Sequence, residues 1–203
     1  MFFFECSKVI ADEGEYLVYS KNNLFVQCID EDNVMITEYV VPKLFSDEKE
    51  DFEVSIYLDE KIIKFLKLYK LAKVEGKNIS FDDNEVVYTY VKSSEDFLET
   101  QFSEKCCLLT LPKIHEDIFD DSEKITLTFS RCLFIKNDIG VHLKFPIQHL
   151  FSKCEISVNS NYLTEIFKQN ENKSCVIYCE KDLPLCFEFI EPNKRIFLAP
   201  LVD

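Results

Sequence analysis

Leu58–Tyr69 reads LDEKIIKFLKLY. Placed at about 100° per residue, Ile62, Ile63, Phe65 and Leu66 share one side of a helix, and Lys61, Lys64 and Lys67 share the other. Asp59 and Glu60 fall in the first turn, where a helix dipole favours negative charge. Leu68 drifts toward the basic side, so the helix is predicted to end near Tyr69. A β-type run precedes it (Phe52–Tyr57) and a hairpin pattern follows it (Asn78–Tyr90). The same strand–helix–hairpin order returns near the C-terminus. There Glu155–Asn159 reads as a strand, Tyr162–Gln169 as a helix capped by Ser160 or Asn161, and Ser174–Glu180 with Leu185–Glu191 as a hairpin.

The recurrence extends along the chain. LFVQCIDEDNVMITEYVVPKLFS (Leu24–Ser46) matches LFIKNDIGVHLKFPIQHLFS (Leu133–Ser152), and FEVSIYLDEKIIKFLK (Phe52–Lys67) matches CEISVNSNYLTEIFK (Cys154–Lys168). SKVIADEGEYLVYSKNN (Ser7–Asn23) resembles PKIHEDIFDDSEKITLTFSR (Pro112–Arg131). Three matches in the same order, offset by about 100 residues, read as a duplicated domain. The halves are placed at residues 1–98 and 106–203, with a short connector at 99–105. Further strands are expected at Phe2–Cys6, Tyr16–Ser20, Leu24–Ile29, Val34–Val41, Cys106–Leu111, Lys124–Phe129, Cys132–Lys136, Val141–Pro146 and Arg195–Ala199. Phe97–Phe102 reads as a possible edge strand. Pro42 and the charged run Ser46–Asp51 read as a loop. Ser7–Asp12 reads as at most a short helical turn, and Pro112–Phe119 as a short helix opened by its proline. The expected fold class is α+β: two tandem repeats of antiparallel sheet with short helices on one face.

Composition narrows the function. The 203 residues are 47% hydrophobic and carry a net charge of −14. No apolar run approaches the length of about 18 residues that a membrane helix needs. The start, MFFFECSKVI, lacks a basic region ahead of its apolar stretch and reaches Glu5 early, so a strand is expected there rather than a signal peptide. An acidic chain does not attract nucleic acid in bulk, so any such contact must come from a local basic face. The nine cysteines are an odd number. They show no C-x-x-C spacing, which argues against zinc and for reduced thiols in an intracellular compartment. Cys106, Cys107, Cys132, Cys175 and Cys186 read as small core hydrophobes.

Catalytic patterns are absent. His115, His142 and His149 fall on different elements, and only three glycines are available for a phosphate loop. The acidic clusters Asp30–Asp32, Asp82–Asp83 and Asp120–Asp121 fall in turns, where carboxylates are favoured without a metal. No catalytic residue, metal site or cofactor is expected, and the chain is not read as an enzyme.

The duplication, the acidic charge and two motifs together resemble the DNA sliding clamps of the proliferating cell nuclear antigen type, in a divergent and shortened form. VQCIDEDNVMI (Val26–Ile36) resembles the family segment after the first hairpin. PLCFEF (Pro184–Phe189), followed by IFLAPLVD (Ile196–Asp203), resembles its closing strands and tail. The resemblance implies a ring, typically of three two-domain subunits, with helices inside and sheets outside. It implies a processivity factor in DNA replication and repair that encircles double-stranded DNA without regard to sequence. A clamp loader mounts it, and it recruits DNA polymerase and other clients through short peptides. Carried over residue by residue, it places DNA contacts at Lys61, Lys64, Lys67, Lys168, Lys8 and Lys113. It places a client-peptide pocket at Ile29, Val34, Pro184, Phe197, Ala199 and Pro200. It pairs Lys124–Phe129 of one subunit near Glu95–Phe102 of the next. It implies a nuclear location, or a cytoplasmic replication site for a viral protein, and no membrane. Two other readings stand beside it. The lysine face alone fits any solvated amphipathic helix. A clamp-fold scaffold, such as a checkpoint clamp subunit or a viral or parasite factor associated with transcription or replication, would share these motifs without itself encircling DNA as a homotrimer.

Overall fold

A computed structural model describes residues 2–19, 24–32, 34–46, 54–75, 78–82, 86–89, 106–114, 119, 122–140, 142–148, 153–191 and 193–201. The chain divides into two compact units, Met1–Ile29 with Thr37–Leu98, and Asp30–Ile36 with Glu99–Asp203.

The first unit begins with β1 (Phe2–Glu5) and one 3-10 turn, Cys6–Lys8. Then follow β2 (Tyr16–Tyr19), β3 (Leu24–Ile29), β4 (Met35–Val40, whose first two residues group with the second unit), β5 (Lys43–Ser46) and β6 (Val54–Tyr57). Helix α1 (Glu60–Leu68) comes next, then β7 (Leu71–Glu75), β8 (Asn78–Phe81) and β9 (Val86–Thr89). The strands lie in the orders β5-β1-β7-β8-β9 and β4-β3-β2-β6, and the pairs β1–β5, β1–β7, β7–β8, β8–β9, β2–β3 and β2–β6 are antiparallel.

The second unit runs β10 (Cys106–Thr110), β11 (Lys124–Phe129), β12 (Cys132–Asn137), β13 (His142–Pro146), β14 (Cys154–Asn159) and α2 (Ser160–Gln169). It closes with β15 (Ser174–Tyr178), β16 (Leu185–Phe189) and β17 (Lys194–Leu198). Its strand orders are β10-β15-β16-β17 and β13-β12-β11-β14. The plan is therefore repeated. β1 and β10 pair with the strand after the helix in each unit, and β2 and β11 lie between their hairpin partner and the strand before the helix. The bridge Leu108↔Gln148 takes the place of the β1–β5 pair.

Helix α1 forms because its ends and its face agree. The Asp59 carboxylate accepts the Ile62 N–H at 2.8 Å, so Asp59 is the N-cap rather than a first-turn residue. Ile62, Ile63 and Leu66 are buried in a core shared with Phe2, Phe4, Leu17, Val26, Ile56, Val74 and Phe81. Phe65 stacks edge-on against Phe81 at 5.4 Å. The helix ends at Leu68, with the Tyr69 N–H still donating to Phe65 O. The Asp82 carboxylate then accepts the N–H groups of Lys70 and Leu71 and turns the chain into β7.

Several expectations are corrected. Helix α2 starts at Ser160 and is capped by Asn159, whose side chain accepts the Asn161 N–H at 3.0 Å. Ser160 does not cap, because its hydroxyl is turned back to donate to Ser122 O. Lys43–Ser46 is a strand along β1, although Pro42 marks a break before it. Leu71–Glu75 is also a strand, with Ala72 and Val74 inward. Lys124–Phe129 is no edge: it is hydrogen-bonded to β12 on one side and β14 on the other. Cys107, Cys175 and Cys186 are buried as expected, but strand alternation turns Cys106 outward, and Cys132 is half-buried. Pro112–Ile114 is not helical, and the rest of that expected helix apart from Phe119 lies outside the described residues, as do His115, Asp83, Asp120, Asp121, His149, residues 47–51, the connector and Phe97–Phe102.

Ile62→Ala is expected to destabilise the protein by about 2–5 kcal/mol, Asp59→Ala by about 1 kcal/mol, and Lys64→Ala by less than about 0.5 kcal/mol. Urea unfolding measures all three. A Lys64→Ala cost equal to that of Ile62→Ala would mean that the lysine side is not solvent-facing.

Candidate functional site

Three lysines stand on the solvent side of α1 because the burial of Ile62, Ile63 and Leu66 fixes the rotation of the helix. Lys61, Lys64 and Lys67 are all exposed, and Lys70 continues the series just past the helix end. The 3-10 turn packs beside α1, and its Lys8 is exposed. Lys8 thus stands exposed on an element that packs against α1. Lys70 was missed from the sequence because it lies beyond the predicted helix end, although its spacing from Lys67 was the available signal.

The second unit repeats the helix but not its charge. Lys168 is exposed on α2, where Glu165 is exposed as well and binds Gln169. Lys113 lies 3.9 Å from Glu171, so its charge is shared with a carboxylate. Such an exposed pair contributes little to stability. Lys173 reaches the C-terminal end of α2, donating to Gln169 O and to the Asn170 side chain at 3.4 Å each.

The residues expected to form a peptide site are placed as follows. Val34 is half-buried against the core of the second unit, and its carbonyl accepts the Ala199 N–H at 2.9 Å. Ala199 and Pro200 are half-buried, and the tail continues to Leu201, whose N–H donates to Ser157 O at 2.8 Å. Phe197 is 3% exposed and belongs to the interior of β17. Pro184 is half-buried before β16, and Ile29 is half-buried at the end of β3 in the first unit. Val34, Ala199 and Pro200 are therefore neighbours along the tail, with Phe197 inside.

The turn that presents Val34 is held by Tyr162 of α2. The Tyr162 hydroxyl donates to Asp30 Oδ2 at 2.6 Å and to Asp32 Oδ2 at 3.0 Å. Asp30 also accepts the N–H groups of Asp32 and Met35. Burial would raise the Asp30 carboxyl, but these bonds, led by Tyr162, outweigh it and hold the carboxyl below its ordinary value. The same bonds, Asp30 first, push the tyrosine hydroxyl up. No sequence pattern links Tyr162 to a turn 132 positions earlier.

Three buried cysteines are held in the thiol form. Burial pushes the Cys6 thiol up to about 11, and Cys107 and Cys175 up to about 12. The reactive form of cysteine is the thiolate, and these environments disfavour it. Among the described residues, no group of three or more His, Cys, Asp or Glu side chains is placed to hold a metal ion.

No protein-family model matches the sequence, and no curated protein matches it. The structure of PCNA from Thermococcus kodakaraensis matches with a TM-score of 0.58, covering 99% of this chain and 100% of that one. The chain has a clamp-like α+β fold. Sequence identity to that structure is 14%, so the likeness establishes architecture alone.

Tyr162→Phe is expected to raise the Asp30 carboxyl pKa. Because Asp30 is depressed below 3.8 when folded, its stabilising effect is present above the unfolded value and is lost as pH falls through the folded one. An NMR carboxyl titration checks this: an Asp30 curve unchanged in Tyr162→Phe would show that the tyrosine does not hold the turn.

Proposed function

We propose that the protein is a sliding-clamp-like processivity factor whose subunits close into a ring around double-stranded DNA and recruit replication and repair proteins. The observation that carries this reading is α1: a buried apolar face in a clamp-like fold, with Lys61, Lys64 and Lys67 exposed on the opposite side. Sliding requires contacts that ignore base sequence, and lysines on phosphates supply them. Lys8 extends the surface, while Lys168 and Lys113 add less because Glu165 shares α2 with Lys168 and Glu171 lies 3.9 Å from Lys113. A nuclear location, or a cytoplasmic replication site for a viral chain, is part of the same proposal. The role is one of binding, with no bond made or broken.

Ring closure is proposed to use β13 and β9. Each is a terminal strand of its sheet among the described residues. By the internal repeat, β13 is the counterpart of β4, and β9 of β17. The tail that continues β17 already pairs with the segment leading into β4, the Ala199 N–H donating to the Val34 carbonyl. Joining β9 to the β13 of another copy extends that rule between subunits and pairs the terminal strands of two sheets. Client peptides are proposed to dock along Val34, Ala199, Pro200 and the exposed Leu201, over Phe197, with Pro184 and Ile29 carried into the site by the resemblance alone.

Light scattering is expected to give a mass of about 72 kDa, three times the 23.9 kDa chain. A monodisperse species of one chain mass at high micromolar concentration would exclude a self-closing ring.

Replacing Lys61, Lys64 and Lys67 together by Glu is expected to abolish retention on circular DNA with the fold intact. Before complete loss, each lysine removed should lower the salt slope of binding by about one. Equal retention of the triple variant would remove this face from the DNA site. Failure of the wild-type protein to be retained on circular DNA at low salt would favour the scaffold that does not encircle it.

A further inference from the structure

The outward face of the β13-β12-β11-β14 sheet carries charge opposite to that of the chain. Strand alternation puts Leu133 and Ile135 of β12 in the core and turns Phe134 and Lys136 outward. The register sets Lys144 of β13 beside Phe134 and His142 beside Lys136. On the other flank Thr128 lies beside Phe134 and Thr126 beside Lys136. Lys124 opens β11 on the same face, Arg131 lies exposed in the β11–β12 turn, and Lys153 lies exposed just before β14. Among the described residues, Glu155 on this face takes a hydrogen bond from Thr128 at 3.0 Å, Asp138 past the end of β12 takes one from Ser122, and Glu123 lies exposed just before β11. The net charge of the whole chain is −14, so this concentration of cations is a local inversion.

Phe134 sits on an inner strand of this sheet and is 40% exposed, with Lys144 Nζ 5.5 Å from its ring centroid. A core reading does not account for it, because the core lies on the other face with Leu163, Ile166 and Phe167 of α2. We propose that this face binds single-stranded nucleic acid, with Phe134 as a base-stacking platform and Lys136, Lys144 and Arg131 as phosphate contacts. An aromatic ring on an open antiparallel sheet meets the π-face of any unpaired base, and flanking cations follow the backbone. A duplex keeps its bases stacked inside and gains nothing from the ring. An acidic peptide gains from the charges but not from stacking. The site lies on the face opposite α2, and goes beyond the duplex contacts proposed for α1.

The test is fluorescence anisotropy of the full chain with a labelled oligothymidylate at low salt, beside a poly-glutamate peptide of equal charge. Phe134→Leu keeps apolar volume and removes the ring face. It is expected to weaken oligothymidylate binding by about tenfold. Lys136→Glu with Lys144→Glu is expected to abolish binding, and Lys136→Gln with Lys144→Gln to weaken it without charge repulsion. The triple glutamate variant of α1 is expected to bind oligothymidylate as the wild type does. Thermal midpoints establish that each variant is folded. Unchanged binding in Phe134→Leu, loss confined to the α1 variant, or equal affinity for poly-glutamate would each overturn the proposal.

Discussion

A nine-residue helix cannot hold itself together in water, because nucleation costs more than so few hydrogen bonds return. Helix α1 exists because Ile62, Ile63 and Leu66 are buried against the strands of the first unit. Each such side chain contributes about 1.5–3 kcal/mol of transfer free energy. That burial also fixes the rotation of the helix, and so the direction of its lysines. The basic face needs no further device to aim it. Helix α2 obeys the same rule through Leu163, Ile166 and Phe167, but its outward residues include Glu165. The repeated scaffold thus presents two helices of the same kind with different charge.

Much of this was legible in the sequence because the signals were periodic. The α1 face could be read from a single 3.6-residue pattern, and the order of elements from three matching stretches. Two strands escaped. In Leu71–Glu75 the inward residues are Ala72 and Val74, too small a signal beside Lys73 and Glu75. In Lys43–Ser46 the strand is set by its partner β1, not by its own pattern. The cap of α2 was misplaced because Asn159, Ser160 and Asn161 are all competent caps, and only the Ser160 bond to a distant carbonyl separates them.

The basic sheet face was illegible for a different reason. Each of Lys124, Lys136 and Lys144 reads singly as the polar half of an alternating strand. What makes them a surface is cross-strand register, which joins residues far apart in sequence. The same holds for Tyr162 and the Asp30 turn. A net charge of −14 hides local inversions, because it is a sum with no geometry. Register also shows why Lys124–Phe129 cannot be an outer strand: both of its sides are already hydrogen-bonded.

The turn at Asp30–Ile36 has a consequence for how the molecule is made. It belongs to the second unit, yet it is synthesised well before the rest of that unit. Its partner hydroxyl, on Tyr162, follows Asp30 by 132 positions, and the Ala199 N–H comes later still. A nascent chain therefore carries this acidic loop uncommitted until Tyr162 and Ala199 have left the ribosome. β17 and the residues after it then complete a structure whose first piece was made long before, so folding of the second unit cannot finish until Ala199 has been made.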